Sequence, residues 1–350
     1  MKNVCAVLTD NRQFTMREEE FQVAPTHPVL RVTHVGVCGT DLSYWKDGAA
    51  YQGMVIGHEY AGVIEEPGTS ELYQRGDRVV GFTQNQFGEP CGHCKACLAG
   101  RPENCTGRVV GHWKGGDLNQ PGAYSRYTTW FPRSFFKLPE GISLEQAAVI
   151  EPFAVALNAV KRSDVQPGEK VLILGGGLIG LAVSEWVRLF GVAEVTITEL
   201  NGDKCRMIQG FGIADHVMQA DDPDIARKLQ EASQGGYDMV FDCVGAESAI
   251  NLGIDSLKKE FGKKFIAVAL PHDFVRINYR ELVLRKTVFL GSKGHTFGGF
   301  GAVMRSIADG HLQVDKYISR RIPFSRLQEG FESIEAARGA DVKVVVEMEK

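Results

Sequence analysis

Over roughly the first 150 residues, apolar positions come in short β-branched runs punctuated by Gly and Pro, as at 29–33 (VLRVT), 61–65 (AGVIE) and 77–81 (DRVVG). Such runs predict strands, and their close spacing predicts a barrel-like β domain. Near Ala147 the pattern changes. Strands are predicted at 170–174, 194–198, 238–242 and 264–268, and 287–290 is expected to end the series. Segments of helical period lie between them, one over 178–190 and another starting over 203–210. Repeated strand–helix units predict a parallel, doubly wound sheet with right-handed crossovers. The tail from about Lys293 offers a helix near 298–309 and a last strand at 343–347, and is expected to rejoin the first domain. The expected division is therefore 1–153 with 293–350 as one domain and 154–292 as the other.

Composition narrows the class without naming a chemistry. The chain has 350 residues, enough for two domains, with 44% hydrophobic and 23% charged residues and a formal net charge of −4. No basic stripe invites nucleic acid or an anionic membrane. The opening residues lack an apolar core of signal-peptide length, and no run of 18 apolar residues occurs, so a cytoplasmic location is expected.

Cysteine spacing adds the first chemistry. Cys91, Cys94, Cys97 and Cys105 stand as C-x2-C-x2-C-x7-C, with Gly92 and Gly100 easing the turns. Four thiolates at this spacing can close on one tetrahedral Zn²⁺, and a zinc so enclosed holds a loop rather than a substrate. A disulfide framework fits a chain of this length poorly. Cys5, Cys205 and Cys243 are scattered and read as small buried apolar residues.

The run Gly175-Gly-Gly177-Leu-Ile179-Gly180 follows a predicted strand and opens a predicted helix. Such glycines permit a tight turn, approach of backbone to a pyrophosphate, and close helix–sheet packing. Glu199 ends the next strand, 19 residues beyond Gly180, where a carboxylate can accept from ribose hydroxyls. It would repel a 2′-phosphate, so NAD is expected over NADP, with Lys204 and Arg206 close by. The candidate dinucleotide contacts are Gly175, Gly177, Ile179, Gly180, Glu199 and Lys204. Trp186 and Phe190 on the following helix read as core.

Gly36-Val-Cys38-Gly-Thr40-Asp41 and Gly57-His58-Glu59 place zinc-type ligands on glycine-flanked turns. Cys38, His58 and one carboxylate would fill three positions and leave a fourth for substrate. Taken singly, each has a plainer reading: buried filler, hydrogen-bonded core histidine, surface charge.

These motifs, with Gly76-Asp-Arg-Val79, the four-cysteine loop, Val149-Ile-Glu-Pro-Phe153 and the glycine run, lie in the order and separation of one family. From about Val23 to Val346 the chain resembles the zinc-containing medium-chain dehydrogenase/reductase superfamily, in its polyol, sorbitol dehydrogenase-like branch. The resemblance implies an α/β protein: a GroES-like β-barrel catalytic domain plus a Rossmann doubly wound parallel sheet. It implies two Zn per chain, one catalytic and one structural, with NAD as cofactor and a homodimer or homotetramer as the assembly. Cys38, His58 and a glutamate would hold the catalytic zinc, with Glu59 and Glu151 both candidates or exchanging through water. Asp41 would orient the ligand histidine. Thr40 would receive the substrate proton, and Ser43 stands where many relatives carry a relay histidine, so water or Glu151 would pass the proton on. From the sequence itself, Tyr44, Trp45 and Tyr51 are expected to line the pocket or else to be plain domain packing, and 111–117 is expected to form a polar wall. Lys293 and His295 would anchor a hydroxyl-rich substrate, while Lys343 would reach the pyrophosphate or be a solvated strand lysine. The implied activity is oxidation of a secondary alcohol of a polyol, sugar or cyclitol-like substrate to a ketone. The rivals are an NAD(P)H-dependent C=C reductase and a non-catalytic NAD-binding protein.

Overall fold

In a computed structural model the chain is described over residues 1–82, 91, 93–99, 104–106, 115–116, 121–271 and 273–348. It divides into two units, Met1–Glu151 with Thr296–Lys350, and Pro152–His295.

The first unit is built on a seven-stranded sheet. Its order runs Ile318–Pro323, Lys343–Glu347, Val29–Gly36, Glu59–Glu66, Arg78–Gly81, Phe135–Lys137, with Tyr127–Thr129 also pairing on Val29–Gly36. The last strand, KVVVE, is the one the valine run predicts. It lies antiparallel to Val29–Gly36, with Val345 opposite Gly36. The chain's end thereby reaches the turn that carries Cys38. A hairpin of Lys2–Asp10 and Gln13–Glu20 flanks this sheet, and its second strand, QFTMREEE, is too polar to have shown an apolar alternation. Leu30, Val32, Trp45, Tyr60, Trp130 and Phe331 fill the core, each at 2% exposure or less. Trp45 is thus interior packing, its ring 5.7 Å from that of Phe331.

The second unit is a six-stranded parallel sheet. Its order is His216–Gln219, Glu194–Glu199, Lys170–Leu174, Met239–Asp242, Lys264–Ala267, Val288–Gly291. The chain starts at the middle, winds outward one way, then returns and winds the other way, which is the doubly wound Rossmann arrangement. The central strand, KVLIL, is buried from Val171 to Leu174, as a strand covered on both faces must be. Its end, Leu174, stands opposite Thr198 and Asp242 on its two neighbours. The carboxyl ends of the strands therefore share one edge, where such sheets bind ligands. The opposite edge is fixed by Asp238, 7% exposed, which accepts from the Lys170 N–H at 3.0 Å and from Lys258 and Lys263 Nζ at 2.7 Å. Burial alone would push this carboxyl up, but the two ammonium groups hold it below 3.8.

Candidate metal and dinucleotide sites

Cys38 stands at the N-terminus of helix Gly39–Lys46 and shares a capping box with Asp41. Asp41 Oδ2 accepts from the Cys38 N–H at 3.0 Å. The Tyr124 hydroxyl donates to the same oxygen at 3.2 Å, and His58 Nδ1 donates to Oδ1 at 3.1 Å. The carboxylate can only accept, which fixes the proton on Nδ1 and leaves Nε2 for a metal. Asp41 and Tyr124 are fully buried, and His58 is 1% exposed. Burial pushes the imidazolium pKa down, yet the charges of Asp41 and Cys38 push harder and hold it well above 6.5. The surroundings of His58 thus favour a positive charge at the spot where a cation would sit.

Glu59 follows His58 and opens the strand Glu59–Glu66, 2% exposed. Ligand atoms of Cys38, His58 and Glu59 all lie within 4.8 Å of one another. One Zn²⁺ reaches sulfur at about 2.3 Å and nitrogen or oxygen at about 2.0–2.2 Å, so these three close on it with small inward shifts. A thiolate, an imidazole and a carboxylate with a fourth position open is the donor set of a catalytic zinc. Glu151, in the first turn of helix Ile150–Ser163, stands outside that group of three but is close enough for its charge to push the Glu59 carboxyl up, adding to the larger push from burial. Thr40 is half-buried in the first turn of helix Gly39–Lys46, and Ser43 donates to the Gly39 carbonyl at 3.2 Å.

Lys343 departs from the reading of a solvated strand lysine. It is 4% exposed, with Nζ 2.5 Å from Glu59 Oε2 and 2.8 Å from the Val37 carbonyl. Gly36 makes room for this pair, since a Cβ there would stand 2.5 Å from Glu59 Oε2 and 2.9 Å from the Ala148 carbonyl. Sequence reasoning missed the roles of Lys343 and Tyr124. The available signal for the first was a lysine heading a run of three buried valines. The second has none: Tyr124 becomes a partner of Asp41 only through pairing of segments 83 residues apart.

The four clustered thiols are also brought together. Cys91, Cys94, Cys97 and Cys105 lie within 4.8 Å of one another, and all eight cysteines of the chain are free thiols. Cys105 Sγ is 3.6 Å from Cys91 Sγ and 3.8 Å from Cys94 Sγ. Sulfurs at about 2.3 Å from one tetrahedral zinc would be about 3.8 Å apart. Backbone N–H groups of Cys97 and Thr106 hold the Cys94 thiol down at about 6, in the thiolate form a metal binds. Gly92, Gly100 and the side chains of the expected polar wall at 111–117 lie outside the described residues.

In the second unit, Gly175 has φ +96° and turns the chain from the strand Lys170–Leu174 into helix Leu178–Leu189. A Cβ at Gly180 would stand 2.0 Å from the Gly175 carbonyl, so helix and strand touch here as only glycine allows. Around Gly177, the residue before the helix, a Cβ would meet nothing within 4 Å, leaving backbone N–H groups open to a phosphate. Glu199 accepts from the N–H of Gly176 at 3.1 Å and of Asn201 at 3.0 Å, and Lys204 Nζ is 3.5 Å away. The carboxylate is thereby fastened against the glycine loop, with Ile179 in the first turn of the helix. Trp186 is core, its Nε1 donating to the Phe153 carbonyl at 2.9 Å. Lys293 is exposed and His295 buried, and Asn158 Nδ2 fastens their loop by donating to the Gly294 carbonyl at 3.0 Å.

Residues 24–140 match the family described as alcohol dehydrogenase GroES-like domain, and residues 179–309 match the family described as zinc-binding dehydrogenase. A probable D-xylulose reductase A of Aspergillus clavatus is 26% identical, over 90% of this chain and 88% of that protein. An L-threonine 3-dehydrogenase of Idiomarina loihiensis is 26% identical, over 90% of each chain. The crystal structure of 2R,3R-butanediol dehydrogenase from Bacillus subtilis superposes with a TM-score of 0.84 at 25% identity, covering 99% of both chains.

Proposed function

The chain belongs to the zinc-type alcohol dehydrogenases of the medium-chain dehydrogenase/reductase family, and from that premise we propose that it is a zinc- and NAD-dependent dehydrogenase of a polyol, sugar or cyclitol. The reaction converts R₂CH–OH and NAD⁺ to R₂C=O, NADH and a proton. The observation that carries the reading is the convergence of Cys38, His58 and Glu59 with Asp41 behind the histidine.

Bound there, Zn²⁺ would acidify the substrate hydroxyl, while the nicotinamide would accept hydride from the carbon that bears it. Cys38, His58 and Glu59 are assigned as its ligands, and Glu151 as the carboxylate that exchanges with Glu59. Asp41 keeps the proton of His58 on Nδ1, so that Nε2 stays available. Thr40 is assigned as the hydroxyl that takes the proton leaving the substrate, and Ser43 cannot extend that relay as a histidine would. Water or the Glu151 carboxylate would carry the proton on. The four-cysteine cluster is assigned a second, structural zinc.

In the other unit, Gly175, Gly177, Ile179 and Gly180 are assigned to the pyrophosphate and Glu199 to the adenosine ribose. The fastened carboxylate of Glu199 supports NAD over NADP, and its Lys204 partner tempers the repulsion a 2′-phosphate would meet. The preference for hydroxyl-rich substrates is supported by the xylulose reductase and butanediol dehydrogenase relatives. A homo-oligomer is supported by the outermost strand of the parallel sheet, Val288–Gly291, where Val288 and Phe289 are 38% and 43% exposed. Two copies of such an edge can pair antiparallel about a two-fold axis.

The test is metal analysis together with a screen of polyols, sugar acids and cyclitols read as NADH absorbance. Two zincs per chain and NAD-linked oxidation of at least one polyol are expected. One zinc per chain and no alcohol oxidation would reject the reading.

A further inference from the structure

The Lys343–Glu59 pair is a fully buried ion pair placed on a candidate metal ligand, and burying two charges is favourable only when their geometry and other hydrogen bonds are good. Here they are good. Lys343 Nζ also donates to the Val37 carbonyl at 2.8 Å, beside the residue that leads into Cys38. The pair is seated by the antiparallel register of the last strand on Val29–Gly36 and by the missing side chain of Gly36. Four acidic groups surround this point, Cys38, Asp41, Glu59 and Glu151, and Lys343 is the basic side chain that meets Glu59.

We propose that Lys343 is a positioning residue that keeps Glu59 a detachable metal ligand. Its ammonium holds Glu59 Oε2, so a metal must compete for that oxygen or take the other one alone. A carboxylate shared between an ammonium and a metal gives less electron density to each, and its metal bond is correspondingly weaker. Glu59 can then withdraw toward Lys343 without becoming an unpaired buried charge, and a substrate oxygen or Glu151 can take the vacated position. Without Lys343, the metal would be the group left to neutralise Glu59, which would stay bound. The inference rests on the metal site proposed above and adds to it the reason why one of three ligands is the labile one.

Lys343→Met and Lys343→Arg in the zinc-loaded enzyme test this. Release of zinc to a chelator is followed, with Cys38→Ser identifying the phase that belongs to the four-cysteine site. The visible spectrum of the cobalt-substituted enzyme reports the ligand geometry. Lys343→Met should release the catalytic zinc about tenfold more slowly, the scale of one charged hydrogen bond, and its cobalt bands should shift. Its kcat should fall while Lys343→Arg restores both kcat and release rate toward wild type. Where Lys343→Met does not fold, Lys343→Gln keeps a neutral donor toward Glu59 and should show the same slowing. Equal or faster release with unshifted bands, in a variant that starts with two zincs, overturns the inference and leaves the dehydrogenase reading standing. A wild-type enzyme without zinc at Cys38 overturns both.

Discussion

Asp41 accepts three hydrogen bonds, from the Cys38 N–H, the Tyr124 hydroxyl and His58 Nδ1, so one side chain ties the start of a helix to a metal ligand. Removing a single partner should be felt at the metal rather than in the fold. Tyr124→Phe keeps the ring that packs 5.7 Å from Phe331 and loses only the hydroxyl. We expect about tenfold weaker zinc binding at this site, the usual scale for an outer partner of a ligand histidine, with about 1 kcal/mol of stability lost. Competition with a chromogenic chelator checks this, and unchanged affinity would show that the hydroxyl does nothing for the site. At this scale the sequence was informative where a residue's role is set by its near neighbours. Cys38 and Asp41 are three apart, and the turn of a helix was enough to bring them together. The pairing of Lys343 with Glu59 was not legible because its partner is 284 residues away, and no local pattern encodes a strand pairing of that span.

Two contacts between elements of the second unit can be tested singly. One is the meeting of Gly180 with the Gly175 carbonyl. Gly180→Ala would push helix Leu178–Leu189 off the central strand and move the N–H groups that are assigned to the pyrophosphate. We expect NADH binding at least about tenfold weaker, read by fluorescence titration, with zinc content unchanged. An unaltered Kd would mean that the phosphate site does not depend on that contact. The other is Asp238, which joins the strand Lys170–Leu174 to Lys258 and Lys263. Asp238→Asn would leave two ammonium groups without their carboxylate and should lower stability by about 2 kcal/mol near neutral pH. The folded pKa of Asp238 lies below its ordinary 3.8, so this contribution is complete above 3.8 and disappears as pH falls through the lowered value. Denaturant unfolding of the two proteins should therefore differ at pH 7 and converge as pH falls below the lowered pKa of Asp238. A constant difference across that range would contradict the assignment. Periodicity located these elements well. The helix Leu178–Leu189 and the strands Lys170–Leu174 and Lys343–Glu347 lie within a residue of their expected bounds. The strand Gln13–Glu20 was invisible because it is paired on one side and largely exposed, leaving its sequence free to be polar.

At the level of the whole molecule, the metal ligands belong to one unit and the glycine loop to the other, although residues from both ends of the chain build the first. The parallel sheet was legible because each strand was followed by a helical pattern. The order of the seven strands in the mixed sheet of the first unit was not, since hydrophobic alternation marks strands without saying which neighbours they take. The proposed homo-oligomer rests on what the second unit leaves uncovered. Phe289→Glu on the strand Val288–Gly291 should break a homo-oligomer into monomers, measured by sedimentation velocity. A wild-type protein that is already monomeric, or a variant that still associates, would remove that edge as the interface. No helix among the described residues is long and apolar enough to cross a membrane.

The account turns on one cation held by Cys38, His58 and Glu59. Anomalous diffraction from crystals of the purified protein, collected on both sides of the zinc absorption edge, tests it most directly. We expect two peaks per chain, one among Cys91, Cys94, Cys97 and Cys105, and one bonded to Cys38 Sγ, His58 Nε2 and a Glu59 oxygen. A crystal with zinc at the four cysteines and none at Cys38 would contradict the central claim.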